Sequence, residues 1–419
     1  MTSRFLRGVA VGALAATLIP GVAHADQTRE DQWYLEALDI AAAHEITKGA
    51  GVRIGMVDSG VDPDHPDLVG NVEAGRSSWS GGEDGLVDPW QHGTSMAGLM
   101  VGHGHGADGS EGILGVAPEA TVVSASVYPP DHDQESLESD VATEQAIVQS
   151  IRWLADQDVD VMLLAYSGPG SQEQREAVEY AADKGITIIT GTGNLSDDTF
   201  AFSAISDPAR FKQTTVVAGT NEAGEHWDRS KVGREAMLAA PAENILSTIP
   251  GGGYEYSHGT SNSAAIVAGV AALMKAQWPD MPWEIIQWRI TETARDLGAK
   301  GVDQETGFGM VDPVAALTET VQVPDHRTDE EVNPDPYPRA ESNDHIDTTE
   351  PATTLTSSGG SGPSPWWIVI AGAAIVVLLA TVAIVIRKTR APTLERTPRS
   401  GEHPLNGGSG TRTTEVRRA

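Results

Sequence analysis

Ser261 stands where a loop gives way to a helix. Gly251-Gly252-Gly253 leads toward His258-Gly259-Thr260-Ser261-Asn262-Ser263-Ala264-Ala265, and the apolar run over residues 266–274 reads as a buried helix. A hydroxyl at the positive end of a helix dipole suits a nucleophile whose attack creates negative charge. The same position also suits a serine that only caps the helix. A nucleophilic serine needs a base, and His92, in Gln91-His92-Gly93-Thr94-Ser95, precedes an apolar helix over 96–101. Asp58 follows the strand-like run Val52-Arg53-Ile54-Gly55-Met56-Val57, so its carboxylate stands at a strand's C-terminal end. Asn194 closes Gly191-Thr192-Gly193-Asn194 after an apolar run, placed either to form a turn or to donate its amide into a site. Hydroxyl, imidazole, carboxylate and amide are the groups that acyl transfer to a serine employs.

Two features compete for these roles. His-Gly-Thr-Ser occurs at 92–95 and again at 258–261, so Ser95 and His258 are alternative candidates. His103 and His105, in Gly102-His103-Gly104-His105-Gly106, are spaced like metal ligands but have no matching acidic pair. That stretch reads as a flexible loop, and the sequence predicts neither a metal nor a cofactor.

The elements that must position these groups alternate. Runs at 52–57, 121–127, 159–165, 186–189 and 215–218 read as strands. Ile147, Ile151 and Leu154 share one helical face, and residues 171–184 read as a further helix. Strands alternating with helices predict an α/β fold with a parallel sheet and helices on both faces. In such folds the site forms at the C-terminal ends of the strands.

Composition narrows the class. The chain has no cysteine, which excludes disulfides, thiolate catalysis and Cys-ligated zinc. Its 28 basic against 59 acidic residues, a net charge of −31, exclude a nucleic-acid partner. Residues 1–25 carry Arg4 and Arg7, an apolar stretch, a Pro20-Gly21 break and Ala23-His24-Ala25, the pattern of a secretory signal peptide. Residues 366–386 are uncharged and apolar, about the length needed to cross a bilayer. Trp366 and Trp367 precede this span, and Arg387, Lys388 and Arg390 follow it, which predicts a single-pass protein with a cytoplasmic C-terminus. The chain thus divides into a signal peptide (1–25), a folded domain (26–320), a Pro-rich acidic linker (321–365), a transmembrane helix (366–386) and a basic tail (387–419).

The order Asp58, His92, Asn194, Ser261 resembles that of the subtilisin-like serine proteases. Further motifs add to the resemblance: His65-Pro66-Asp67-Leu68, Gly115-Val116-Ala117-Pro118 and Gly307-Phe308-Gly309-Met310-Val311-Asp312, in the family's sequence order. The resemblance implies a subtilisin-like fold over residues 33–317 and hydrolysis of protein or peptide substrates. It implies Asp58, His92 and Ser261 as the triad, Asn194 as oxyanion donor, and Ala165-Tyr166-Ser167 as the substrate-binding strand. It favours His92 over His258 as the base, because only His92 follows Asp58 at the family's spacing.

A narrower resemblance is to the mycosins, the membrane-anchored subtilases tied to type VII secretion. The signal peptide, Gln32-Trp33-Tyr34-Leu35-Glu36-Ala37-Leu38, the linker and the C-terminal anchor carry it. It implies secretion-system membrane proteins as partners. The segment between Ala25 and the first strand is too short for an independently folded pro-domain, which needs about 50 residues. Three departures stand out: there are no cysteines, Ala265 replaces a proline after the serine motif, and Tyr166 replaces a leucine in the substrate strand. They leave open an inactive protease-fold scaffold, whose mark would be a missing triad residue. A lipase-type hydrolase is disfavoured, because Ser261 lacks the Gly-x-Ser-x-Gly motif.

The predicted topology has a direct test. Protease added outside intact cells should remove everything before Trp366 and spare an epitope placed after Arg390. Protection of the large domain would reverse the orientation.

Overall fold

The strands that carry the candidate residues lie side by side in one parallel sheet. The structure, a computed structural model, describes residues 27–130, 141–195, 204–298 and 300–322. Its strands are β1 (Arg53–Asp58), β2 (Val72–Ser77), β3 (His103–His105), β4 (Glu111–Leu114), β5 (Thr121–Ser126), β6 (Val161–Leu164), β7 (Thr187–Gly191), β8 (Thr214–Thr220), β9 (Leu238–Pro241), β10 (Ile245–Ile249) and β11 (Gly253–Ser257). Seven of them pair in the order β2-β5-β1-β6-β7-β8-β9, all parallel. The five predicted strands are all present, offset at their ends by one or two residues. The helices are α1 (Gln27–Glu30), α2 (Trp33–Ala37), α3 (Ile40–His44), α4 (His92–Val101), α5 (Val141–Ala155), α6 (Gln172–Asp183), α7 (Thr260–Gln277), α8 (Trp283–Glu292) and α9 (Pro313–Thr318).

The pleat divides the strand residues between two cores. Ile54, Met56, Val161 and Leu163 pack with α4 and α7, whereas Val57, Met162 and Leu164 pack with Ile151, Leu154 and Val178 on α5 and α6. Burial on both faces explains why these strands read as unbroken apolar runs. Ser171 caps α6, its hydroxyl accepting from the Gln174 backbone N–H at 3.0 Å.

Helix α7 runs beneath the sheet against β6, β7, β8 and β9. From Thr260 to Lys275 every residue is buried except Ser261. A helix buried all round must be made of small and apolar side chains, and this one carries Ala264, Ala265, Ala268, Gly269, Ala271 and Ala272. At Gly269 a Cβ would stand 2.6 Å from the Val116 Cβ, so glycine sets how closely the two backbones approach.

The stretch expected to be a flexible loop is tied down. His103–His105 forms β3, antiparallel to β4. His105 Nδ1 lies 2.6 Å from an oxygen of the buried Asp67, which also accepts from the Ile113 N–H at 2.8 Å and the Tyr254 hydroxyl at 2.9 Å. His103 Nε2 meets the Val69 carbonyl at 3.0 Å. A buried carboxylate must be satisfied by hydrogen bonds, and Asp67 gathers the β3–β4 hairpin to meet that need.

The N-terminal segment docks onto the same hairpin. The Gln32 amide brackets Leu114, accepting from its N–H and donating to its carbonyl, both at 2.9 Å. The Arg29 guanidinium donates to the carbonyls of Gly112 and Gly109 at 2.9 and 3.1 Å. Among the described residues no helix is long and apolar enough to cross a membrane. The expected signal peptide, the linker beyond residue 322, the span 366–386 and the tail lie outside the described residues.

Gly269→Ala should lower stability by about 1–2 kcal/mol, because the overpacking against Val116 exceeds the gain in helix propensity. The urea midpoint reads this out. An unchanged midpoint would mean that α7 and the Val116 turn can separate at no cost.

Candidate active site

The site grows from the end of β1. Asp58 is the last residue of that strand and is 2 % exposed. Chain reversal after the strand gives its Oδ1 a local donor, the Ser59 N–H at 2.7 Å. The remaining capacity goes to His92, whose Nδ1 lies 2.8 and 2.9 Å from the two carboxylate oxygens. An acceptor-only carboxylate fixes the proton on Nδ1, so Nε2 carries the lone pair. Among the described residues Nε2 has no hydrogen-bond partner.

Helix α4 begins at His92, so the imidazole stands at the helix start that the sequence assigns it. The reason lies in Gly93, where a Cβ would collide with the Gly60 carbonyl oxygen. Glycine there lets the helix start against the loop that follows β1, which brings the imidazole to Asp58.

A second carboxylate, which the sequence reading did not single out, stands behind the first. Asp88 Oδ2 accepts from the Thr94 N–H and hydroxyl at 2.8 and 2.6 Å, and its Oδ1 accepts from the Ser59 hydroxyl at 2.7 Å. That hydroxyl also lies 3.2 Å from Asp58 Oδ1 and accepts from the Gly93 N–H at 2.9 Å. Asp88 thus holds the first turn of α4. Its signal in the sequence is an acidic residue shortly before a helix start, where the helix dipole favours it.

Burial is the largest single influence on His92 and pulls its pKa down. The Asp58 charge, the Asp58 hydrogen bond and the more distant Asp88 charge together outweigh it, and the net pKa is raised above 6.5. Asp88 is itself raised, by burial first and by the Asp58 charge, against the hydrogen bonds from Thr94 and Ser59.

Asn194 follows β7 and approaches the start of α7. Its Oδ1 accepts from the Thr260 N–H at 3.0 Å and the Thr260 hydroxyl at 3.1 Å. With the oxygen engaged, Nδ2 remains as the donor. A Cβ built on Gly259 would stand 3.3 Å from Nδ2 and 3.8 Å from the Ser261 backbone nitrogen. Both nitrogens therefore lie within 4 Å of one point, which glycine leaves open. The Ser261 N–H lies in the first turn of α7, where helix geometry supplies no carbonyl partner.

The Ser261 hydroxyl donates to the Ala165 carbonyl at 3.3 Å. Ala165 continues β6, followed by the half-buried Tyr166 and Ser167. All of these residues line one cleft of about 1380 Å³ together with Asp58, His92 and Asn194. Ser95 and His258 line it too, but neither contacts a carboxylate among the described residues. Ser95 lies a turn into α4, its carbonyl accepting from Ser247, and His258 Nδ1 accepts from the Asn244 N–H at 3.1 Å.

Known proteins resemble this chain over most of the folded domain. The subtilase family profile matches residues 49–309. The major intracellular serine protease of Bacillus subtilis (strain 168) is 31 % identical over 267 residues, covering 62 % of this chain and 80 % of that protein. Among solved structures, the MycP3 protease from the type VII (ESX-3) secretion system aligns with a TM-score of 0.59 at 29 % identity, covering 69 % of this chain and 88 % of that one. MycP1 from Mycobacterium smegmatis aligns at 0.60 and 27 % identity, covering 74 % and 88 %.

The raised His92 pKa fixes the sign of a pH effect. The protonated imidazole favours the fold below about 6.5, and that contribution fades as pH rises through the raised value. The neutral imidazole, the form able to accept a proton, prevails only above it. The acid limb of kcat/KM should therefore fall above pH 6.5. Asp88→Asn removes a charge that raises His92 and should shift this limb to lower pH with KM unchanged. A limb that stays in place would limit Asp88 to holding the helix.

Proposed function

The chain belongs to the subtilase family of serine proteases, and from that premise we propose that Asp58, His92, Ser261 and Asn194 carry out its peptide-bond hydrolysis. The observation that supports this most directly is the His92 imidazole held by both oxygens of the buried Asp58, in the cleft that Ser261 enters. His92 Nε2 takes the proton from the Ser261 hydroxyl as the oxygen attacks the substrate carbonyl. To do so the hydroxyl turns from the Ala165 carbonyl, a long contact that costs little to give up. Asp58 keeps the proton on Nδ1 and stabilises the imidazolium.

Negative charge on the substrate oxygen is received by Asn194 Nδ2 and the Ser261 N–H. Thr260 orients that amide in advance, so reorganisation is not required during attack. The imidazolium then returns its proton to the leaving amine, and an acyl group remains on Ser261. Water repeats the sequence, deprotonated by His92, and releases the carboxylic acid. Ala165, Tyr166 and Ser167 present the end of β6 to the bound peptide as its binding strand.

The reading extends to location. The N-terminal export pattern and the apolar span 366–386 with its basic flank support a domain held outside the cell on one membrane helix. Likeness to MycP3 of a type VII secretion system supports a role beside such machinery, with its membrane proteins as partners. The inactive-scaffold alternative has less support, since all four chemical groups are present and line the same cleft.

A fluorophosphonate probe reacts with a serine that has both a base and an oxyanion site. Wild-type protein and Ser95→Ala should label, whereas Ser261→Ala and His92→Ala should not. Asn194→Ala should label about a hundredfold more slowly, the scale of one oxyanion donor. Labelling that persists in Ser261→Ala and disappears in Ser95→Ala would reassign the nucleophile. Absence of labelling in folded wild-type protein would favour the scaffold.

A further inference from the structure

The cleft is strongly asymmetric in charge. Its described lining contains the carboxylates Asp58, Glu144, Glu173, Asp207 and Glu255, no lysine and no arginine. Asp58 is occupied by His92. Beside Tyr166, however, acceptors are gathered that the fold leaves without donors.

Gln174, on the first turn of α6, is 2 % exposed. Its Nε2 donates to the Tyr166 hydroxyl at 3.2 Å, but its Oε1 is buried and has no partner. Asp207 is in the same condition. Its Oδ2 accepts a long hydrogen bond from the Gly170 N–H at 3.3 Å, whereas Oδ1 is buried without one. The two side chains converge, since a Cβ on Gly170 would stand 2.6 Å from Gln174 Oε1 and 2.9 Å from Asp207 Oδ2. Glu144, on α5, uses Oε1 to accept from the Ser171 N–H and hydroxyl at 3.2 and 2.6 Å. Of the nearby cations, Arg175 is stacked on the Phe211 ring at 4.6 Å, and the buried Lys231 stands beside Gly193 and Ser167.

Buried acceptors without donors are costly, and the two orphaned oxygens, Gln174 Oε1 and Asp207 Oδ1, belong to side chains in the wall of a cleft that can admit a ligand carrying donors. We infer that the pocket formed by Glu144, Tyr166, Gln174 and Asp207 takes a cationic side chain of the peptide substrate, arginine in preference to lysine. This rests on reading the cleft as a peptidase site. A guanidinium offers donors in several directions within one plane and stacks on an aromatic face, which suits acceptors spread around a tyrosine. An ammonium is a point charge and satisfies fewer of them. The Tyr166 phenol reports the same field: burial first, then the charges around it, Glu144 and Asp207 included, hold its pKa well above the ordinary value. Burial opposes any charge there, but the Glu144 and Asp207 contribution favours a cation.

Tyr166 directly follows Ala165, whose carbonyl meets the Ser261 hydroxyl. The selected side chain therefore belongs to a residue close to the scissile bond.

The test uses the full-length protein in detergent and fluorogenic peptides. One arginine is moved through the positions flanking the cleaved bond and is replaced at each by citrulline, which keeps the shape and loses the charge. At one position arginine should exceed citrulline in kcat/KM by about tenfold or more, the scale of a charge-assisted hydrogen bond. Lysine should fall between them. The ratio of arginine to citrulline should drop toward one in Asp207→Asn and, independently, in Glu144→Gln. Fluorophosphonate labelling shows that each variant is folded, and the wild-type ratio decides the matter if either is not.

Equal cleavage of arginine and citrulline peptides at every position, in protein that labels, would overturn the pocket and leave the peptidase reading intact. Labelling without cleavage of any peptide would overturn it as well. Loss of the preference on adding Ca²⁺, with recovery on chelation, would mean that the pocket holds a metal ion instead.

Discussion

Two carboxylates buried at the C-terminal edge of the sheet set the terms for everything around them. Removing a charge from water costs several kcal/mol unless donors surround it. Asp58 and Asp88 meet that requirement jointly through Ser59, whose hydroxyl contacts both. Their other donors are the start of α4, Thr94 and the His92 ring. The helix cannot shift without orphaning a carboxylate, so the imidazole is held by electrostatics on one side and by close packing at Gly93 on the other. A similar logic holds Asn194 against Thr260, whose backbone N–H at the helix start and hydroxyl both donate to the Asn194 Oδ1.

Much of this was legible in the sequence, and the parts that were not share a cause. The strands were readable because burial on both faces turns each into a short apolar run. Helix α7 was readable because complete burial leaves a long apolar stretch behind Ser261. By contrast, the β3–β4 hairpin looked like a flexible loop, because glycine and histidine alternate there and the partner that orders it, Asp67, lies 38 residues from His105. Asp88 and the Gln174–Asp207 pair escaped notice for the same reason: their roles come from neighbours that only the fold brings together. The Asn194 residue type suggests a turn as readily as a donor, and its contact with Thr260 joins residues 66 apart that only the fold brings together.

The departures from the family pattern read differently once packed. Ala265 is completely buried within α7, where a small side chain serves the close approach to the sheet. Tyr166 spans the interior of the cleft wall, its ring packed against the second core and its hydroxyl held by Gln174. The replacement therefore does more than narrow a groove: it sets a hydroxyl among the polar side chains of that wall.

Ser261 is the one residue between Thr260 and Lys275 that the core does not enclose. Substitutions elsewhere along that helix disturb packing on every side, whereas replacing this hydroxyl disturbs almost none. On the proposed mechanism, the fold along α7 is most tolerant of substitution where the chemistry is most sensitive. A descendant that abandoned hydrolysis could keep its architecture, its docked N-terminal segment and its binding surfaces after a single codon change. For this chain, ancestry and activity are separable properties.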